Sequence, residues 1–430
     1  MRPRFLLPAL LAALAFTGAP VKAQDFSWSA FGTIGYAQSN RDYRYQRSID
    51  DNGTLERDSV FGAQGDLRFG PQWSATVQLK LAPSTKEDDR FALTPAWAFL
   101  AWRPGDDWLL RAGRLRVPLY LHSEAMDVGV TNDMARLPAE MYSLAPTTDF
   151  DGLAIARTWV LGERELAVDA YTGRTNAPVR FWHRDGVPGQ LPAGARYADV
   201  DVRSTGLVLT WRGLDGVLRG GVHRTRTRPR NVDGVAVRYP FVAVAPGIGY
   251  YQVSDQLPGP GVERVSAISN TVLTLGVDQQ LVPGWRVAAE YARNRQFDTE
   301  MGSNTSGGYV ALFHSLGRFT PYASYGRLRS SATALDWYDR LTASPLPDAI
   351  PGAAQINGAQ RVAAESFYAI DQRTVALGSS FAVDAEQKIK FEWQRTHVGR
   401  VSRLVDAPAG QPVPNRTSID VWSVNYSFSF

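Results

Sequence analysis

The C-terminal stretch Asp420-Val421-Trp422-Ser423-Val424-Asn425-Tyr426-Ser427-Phe428-Ser429-Phe430 decides the fold. Its apolar residues occupy every second position counted back from the terminal phenylalanine, and small polar residues alternate with them from Ser423 to Ser429. A β-strand points successive side chains to opposite faces, so this stretch has one apolar face and one polar face. The pattern predicts a strand whose two faces meet different surroundings.

The same period of two recurs in several other stretches, including 73–81, 285–292 and 388–394. In a water-soluble sandwich the polar face would point outwards, whereas in a membrane barrel the apolar face meets lipid and the polar face lines water. Aromatic residues make up 11% of the chain, and many stand beside predicted strand ends, where amphipathic rings favour the headgroup level of a membrane. These patterns favour a transmembrane barrel of the all-β class.

The connections between the predicted strands alternate between short and long. Seven short, turn-like connections lie near residues 70, 104, 162, 214, 283, 316 and 384. Eight long connections lie at about 39–57, 83–91, 116–150, 174–199, 228–266, 296–305, 331–370 and 399–416. Together they join about sixteen strands, an even number, with every long connection on one side. This asymmetry predicts an antiparallel up-and-down barrel whose long loops face the cell exterior.

The N-terminus has the pattern of a cleaved secretory signal. A basic start, Met1 to Arg4, precedes the apolar run Phe5 to Phe16, and Val21-Lys22-Ala23 offers small residues at the cleavage position. We therefore predict a signal peptide over 1–23 and a barrel over 24–430. Its removal takes away three of the 46 basic residues, which leaves 43 against 42 acidic residues, or +1. That near-neutral charge, spread evenly along the chain, argues against nucleic acid as a partner.

The last strand resembles the C-terminal strand of Gram-negative outer-membrane proteins, which ends in phenylalanine and is recognised by the barrel-assembly machinery. The corresponding residues here are Tyr426, Phe428 and Phe430. With the signal peptide and the strand count, the chain resembles the sixteen-stranded porins, without a subfamily assignment. The resemblance implies a homotrimer in the cell outer membrane, in contact with lipid and lipopolysaccharide. It also implies passive diffusion of small hydrophilic solutes and ions.

Porins of this type fold their third external loop into the lumen, and the resemblance places that loop at 116–150 here. The segment is rich in apolar residues, which suits packing against a barrel wall from inside. A surface loop or a contact between subunits is an equally open interpretation.

A narrow waist focuses the field of the charges that line it. We expect acidic residues of the third loop to face arginines of the wall and so to create a transverse field that disfavours apolar solutes. The candidates are Glu124, Asp127, Asp133 and Glu140 on the loop, opposed by Arg68, Arg111, Arg114 and Arg286. A basic ladder of Lys388, Lys390 and Arg286 would favour anions, but Glu290 and Glu392 interrupt it.

Two other function classes stay open. One is a channel selective for an anion, a sugar or a carboxylate. The other is a barrel hydrolase or a non-conducting adhesin or anchor, for which His183, beside Arg184 and Asp185 in a long connection, is the best catalytic candidate. None of the five histidines stands at metal-ligand spacing from another, and no nucleophile elbow or phosphate loop is present. We expect no enzyme activity, no metal and no cofactor.

Overall fold

The computed structural model describes residues 25–145, 147–343 and 345–430, and it forms one closed β-barrel of sixteen antiparallel strands. The predicted signal peptide, 1–23, lies outside the described residues. The strands are β1 Asp25–Ser39, β2 Val60–Arg68, β3 Trp73–Pro83, β4 Phe91–Trp102, β5 Trp108–Arg116, β6 Asp149–Leu161, β7 Arg164–His183, β8 Gly194–Arg212, β9 Gly216–Pro229, β10 Ile268–Val282, β11 Trp285–Gln296, β12 Ser306–His314, β13 Phe319–Arg329, β14 Asp371–Ala382, β15 Gln387–Val398 and β16 Thr417–Ser429.

The two terminal strands close the barrel. On one side β1 pairs with β16, from Phe31 opposite Ser429 to Ser39 opposite Val421. On its other side β1 pairs with β2, so no open edge is left in the sheet. Closure satisfies the backbone hydrogen bonds of every strand within the sheet, as a membrane interior demands. The predicted strand number and antiparallel topology are confirmed.

The alternation in β16 separates an outer from an inner face. Trp422 is 51% exposed on the outside, whereas Asn425 is 1% exposed and points inwards. The inner polar side chains bond to one another across strands, as Thr33 Oγ1 and Ser427 Oγ do at 2.9 Å. Exposed outer aromatic residues gather near both ends of the barrel, with Trp73 stacked on Trp102 at a centroid distance of 5.7 Å.

The short and long connections lie on opposite sides of the barrel. The long loops are L1 (40–59), L2 (84–90), L3 (117–148), L4 (184–193), L5 (230–267), L6 (297–305), L7 (330–370) and L8 (399–416). The predicted bounds of the fourth, 174–199, were wrong. The ladder between β7 and β8 continues without a break to His183 opposite Gly194, so these two strands extend well beyond their neighbours.

The long loops add structure that a period of two does not predict. L3 contains a short helix, α1 (Ala139–Tyr142), and L7 contains two longer helices, α2 (Ala332–Ala343) and α3 (Ala353–Glu365). L5 contains a hairpin of Phe241–Ala245 and Ile248–Tyr251. In the described ranges, no helix has the length and apolar character needed to cross a membrane.

Candidate permeation site

The third loop enters the barrel and lies along its inner wall. Apolar side chains of L3, among them Leu119, Met134 and Met141, pack against wall residues such as Ala288 and Phe313. This burial explains why L3 is more apolar than a solvated loop. The predicted inward fold of the third loop is confirmed, and L3 occupies part of the barrel interior.

Polar anchors hold L3 at this position. Glu290 of β11 accepts hydrogen bonds from Tyr142 Oη at 2.5 Å and from the backbone N–H of Leu121 at 2.6 Å. On β15, four strands further round the barrel, Lys390 Nζ donates to the carbonyl oxygen of Gly129 at 2.6 Å. Glu290 and Lys390 therefore position the loop, although the sequence had suggested Lys390 only as a member of a basic ladder and Glu290 only as an interruption of it.

Asp127 forms the first charged contact between L3 and the wall. Its carboxylate lies 3.0 Å from Lys80 Nζ and 2.8 Å from Arg116 Nη2. Burial alone would raise the pKa of Asp127, but the charges of Lys80 and Arg116 hold it below its ordinary value. Asp127 is therefore an anion at neutral pH, bound by two cations of the wall.

Asp133 forms the second contact, on the other side of the lumen. Its carboxylate lies 2.9 Å from Lys388 Nζ and 2.7 Å from Arg286 Nη2, and it accepts a hydrogen bond from Ser380 Oγ. Although burial opposes it, Lys388 and Arg286 lower the pKa of Asp133. The Arg286 guanidinium also lies 4.1 Å above the Phe313 ring and 2.6 Å from the carboxylate of Asp278. Two residues of the proposed basic ladder thus converge on one loop carboxylate.

The other predicted constriction residues are placed differently. Among the four predicted acids of L3, Glu124 is the most exposed, with 62% of its side chain accessible. Its carboxylate lies 3.8 Å from Arg111 Nη1. Glu140 is 2% exposed and accepts hydrogen bonds from Gln372 and Thr374, so it anchors α1 to the wall.

Arg114 and Arg68 do not join the contacts of L3. Arg114 pairs with Asp149 and Asp151 where β5 meets β6, at 3.7 and 3.4 Å. Arg68 ends β2 on the short-turn side, opposite Asp25 in the strand register, and forms no ion pair within the described residues. The structure thus brings together Asp133 with Arg286, and Glu124 with Arg111, while Arg68 and Arg114 stand apart.

A buried ion pair between L1 and L3 was not predicted. The guanidinium of Arg136 binds both carboxylate oxygens of Asp58, and each side chain is 5% exposed. Burial would raise the pKa of Asp58, yet Arg136 holds it below its ordinary value. Arg136 and Asp58 are 78 positions apart, so no local spacing in the sequence indicates their contact.

A chamber of about 500 Å³ lies beside this pair, between L1, L2 and L3. Its walls carry cations and acids in similar number: Arg47, Arg57, Arg136, Lys390, Glu56, Asp58, Asp88 and Asp127. A chamber with this lining suits water and small polar solutes, since apolar solutes would leave these groups without partners.

Four long loops form a cap, defined here as the apolar cluster shared by L5, L6, L7 and L8. Trp337 of α2 contributes to this cluster together with Val262 of L5, Met301 of L6 and Val401 of L8. At the neighbouring L4, the backbone N–H of Arg184 donates to Glu365 Oε2 at 3.0 Å. The cap therefore ties together four long loops on the same side of the barrel.

His183 lies at the end of β7, with Nε2 2.9 Å from Ser366 Oγ. Its Nδ1 is buried and has no hydrogen-bond partner in the described part of the chain. A serine–histidine hydrolase needs an acid there to orient the imidazole. This geometry does not favour the hydrolase alternative.

No cluster of three or more histidine or acidic side chains arranged to hold a metal occurs within residues 25–145, 147–343 and 345–430. In L2, for example, Asp88 binds Arg180 at 2.8 Å and accepts a hydrogen bond from Tyr197, so its carboxylate is already paired with protein groups.

Comparison with solved structures shows the fold of outer-membrane channels. The chain is similar to an OmpT with loop L8 deleted, an outer membrane protein of Vibrio cholerae, at 8% identity and a TM-score of 0.52, covering 94% of this chain and 99% of that one. It is similar to the outer membrane channel DcaP of Acinetobacter baumannii and to Salmonella typhi OmpF in complex with daunomycin, each at 10% identity, a TM-score of 0.50 and coverage of 94% and 97%.

The sequence matches no protein-family model and no curated protein. At such low identities the structural likeness concerns the fold. The chain has the closed sixteen-stranded β-barrel fold of outer-membrane porins.

Proposed function

We propose that this protein is an outer-membrane porin through which small hydrophilic solutes and ions diffuse passively. The observation that carries the proposal is the inward fold of L3, whose Asp133 meets Arg286 and Lys388 of the wall. An inward loop narrows the lumen, and fixed charges at the narrowing order water and repel apolar solutes. The inner faces of the strands supply the polar surface along the rest of the path.

Liposome swelling tests this proposal. Refolded protein is placed in liposomes that are then diluted into isosmotic solutions of neutral sugars of increasing size. Diffusion through a narrowed pore predicts swelling rates that fall steeply as the sugar grows. Liposomes with the same protein heat-unfolded before reconstitution serve as the control. Swelling no faster than in this control, for the smallest sugar, would reject a general diffusion pore.

A selective channel is the second candidate, and the loop cap favours it. The cap joins four loops on the long-loop side, and Arg47, Arg57 and Arg136 line the chamber between L1, L2 and L3. These arginines are paired with Asp58 and Asp88, so the lining offers hydrogen-bond donors and acceptors together, and a small sugar is the solute class that fits. A selective channel predicts that such a solute reduces the ion current in a saturable way, whereas a general porin predicts no saturation.

The homotrimer is also a proposal, supported by the resemblance to sixteen-stranded porins. Its test is the mass of the detergent-solubilised protein by light scattering, and a monomer mass would reject it.

We also propose that the barrel-assembly machinery recognises the C-terminal residues, and the exposure of Tyr426 on the closing strand and of Phe430 beside it supports this proposal. Deletion of Phe430 is expected to lower the amount of assembled barrel in cells, while a Phe26→Ala variant on β1 serves as a control.

A further inference from the structure

Several exposed arginines on the outer face of the barrel have no acidic partner, and four of them lie close together on β7–β9. Arg174 of β7, Arg203 of β8, and Arg224 and Arg226 of β9 are all exposed, towards the long-loop ends of their strands. We call them the arginine quartet. They share the outer face with the exposed apolar belt, since Arg224 lies two residues from Val222. Within the described part of the chain, none of the four side chains forms an ion pair or a hydrogen bond with another residue.

Three members of the quartet stand in a single row. Arg174 is directly opposite Arg203 in the strand register, and Arg203 is directly opposite Arg226. Residues opposite one another in antiparallel strands have Cβ atoms about 4.5–5.5 Å apart, and like charges at that spacing destabilise the pair. Such a row indicates a place where an anion from outside the chain is bound.

The nearest carboxylates are engaged elsewhere. Asp151 stands opposite Arg174, but its carboxylate pairs with Arg114 at 3.4 Å. Asp201, one row further towards the loops, pairs with Arg230 at 3.2 Å. The acids at the edge of the quartet therefore leave its charge uncompensated.

The quartet lines a groove that continues into an apolar one. The arginine-lined groove has a volume of about 980 Å³, and the second, of about 610 Å³, begins at the same Leu153, Thr172 and Thr205. This second groove runs past exposed apolar side chains, among them Leu100, Ile155, Trp73 and Trp102. A cationic groove joined to an apolar one matches a molecule with an anionic head and a hydrocarbon chain.

Other strands repeat the same order of residues on their outer faces. Towards the long loops, Tyr291 is followed by Arg293 on β11, and Tyr325 by Arg327 on β13. Since these two strands also carry an arginine at this level, their faces in a second copy of the chain would not supply acids to the quartet. Arginine forks bind phosphate oxygens in two-point contacts, which makes phosphate the fitting anion.

We propose that the arginine quartet binds a phosphate group of lipopolysaccharide in the outer leaflet, with an acyl chain lying along the adjoining apolar groove. The site requires that the barrel resides in the outer membrane with its long loops outside, and it does not depend on conductance. The bound phosphate neutralises the row of like charges. It also sets the depth of β7–β9 relative to the lipid headgroups.

The test measures binding of purified lipopolysaccharide to the detergent-solubilised full protein by native mass spectrometry. The variant R174Q/R203Q/R226Q removes the row. The control R103Q/R212Q/R318Q removes the same charge from exposed arginines on the short-turn side. We expect the first variant to bind about tenfold or more weakly, because a single charge-assisted contact is worth that much, and the control to bind as the wild type.

Further arms identify the ligand chemistry. Enzymatically dephosphorylated lipopolysaccharide is expected to bind wild type as weakly as the intact lipid binds the row variant. Equal binding of intact and dephosphorylated lipid, unchanged binding by the row variant, or equal affinity for phosphatidylglycerol would overturn the proposal. A change in oligomeric state of the row variant with unchanged lipid binding would identify the groove as a subunit interface and also overturn it.

A stability measurement guards against a folding artefact. In lipid-free detergent, removal of like charges is expected to leave the row variant at least as heat-stable as wild type. In lipopolysaccharide-containing micelles, wild type is expected to gain more stability than the variant, because only wild type binds the phosphate. Equal gains for both would contradict the proposed site.

Discussion

Asp133 lies between two cations of the wall, Arg286 and Lys388. Replacement by asparagine keeps the shape and removes the charge, so both cations then act on passing ions. We predict that Asp133→Asn shifts the reversal potential of the channel in a salt gradient towards anion selectivity. Asp215→Asn, in a short turn at the other end of the barrel, is the control. An unchanged reversal potential would mean that Asp133 does not border the ion path.

Arg136 and Asp58 form a buried pair, and removal of one partner leaves the other charge without compensation. We predict that Arg136→Ala lowers the free energy of unfolding by about 3–5 kcal/mol, measured by denaturant titration of tryptophan fluorescence in detergent. The double variant Asp58→Ala/Arg136→Ala should lose less, because no unpaired charge remains. Equal losses in the single and double variants would show that the pair's charges do not matter.

The same pair gives a pH dependence. Arg136 lowers the pKa of Asp58 in the folded protein. The pair's contribution to stability is therefore full above the ordinary pKa of an aspartate, about 3.9, and is lost as the pH falls towards the lower folded value.

Residue patterns alone predicted part of this site. The acids of L3 and the cations of β11 and β15 were found because they lie on segments whose place in the barrel follows from strand order. The partners were not predicted, since contacts such as Asp58 with Arg136 depend on how L1 folds inwards. Glu140 lies in the predicted loop, but its side chain turns to the wall, which no sequence pattern shows.

At the scale of elements, the contact between L4 and α3 contains a titrating group. Burial raises the pKa of Glu365 to about 7, opposed by Arg184 and Arg361 and assisted by Asp185. A group whose pKa is raised in the packed state binds its proton more tightly there. Packing of α3 on L4 is therefore strongest below the ordinary pKa of a glutamate, and it weakens as the pH rises through about 7.

We predict that amide hydrogen exchange in 184–193 and 353–366, corrected for the intrinsic pH dependence, is faster at pH 8 than at pH 6. Glu365→Gln keeps an acceptor for the Arg184 N–H without a charge, so it should remove this difference. Glu263→Gln, an exposed position in L5, should retain it. A pH effect of equal size in Glu365→Gln would exclude Glu365 as its cause.

The helices of L7 show why elements were predicted unevenly. The strands were found because each has one apolar and one polar face, which gives a period of two. In α2, the buried Leu335, Tyr338 and Leu341 recur at intervals of three, and this helical spacing was present in the sequence. Because this segment was interpreted as a connection between strands, its helical spacing did not lead to a predicted helix, and the cap was not predicted.

At the scale of the whole molecule, the count of connections was sufficient to predict the barrel. A closed up-and-down barrel requires an even number of strands, and alternating short and long connections fix which ends lie together. The extra length of β7 and β8 was not predicted, because turn-forming residues such as Pro178 occur inside their paired region. The arrangement of the cap depends on contacts among four loops distant in sequence.

Single-channel recording tests the central claim most directly. The protein without its predicted signal peptide, 24–430, is refolded and inserted into a planar bilayer with a salt gradient across it. A passive diffusion channel predicts discrete, stable conductance steps, an ohmic current and a reversal potential set by the charges around L3. The contradicting result is a barrel that gives no conductance under any applied voltage, although its heat-dependent mobility on gels shows that it is folded.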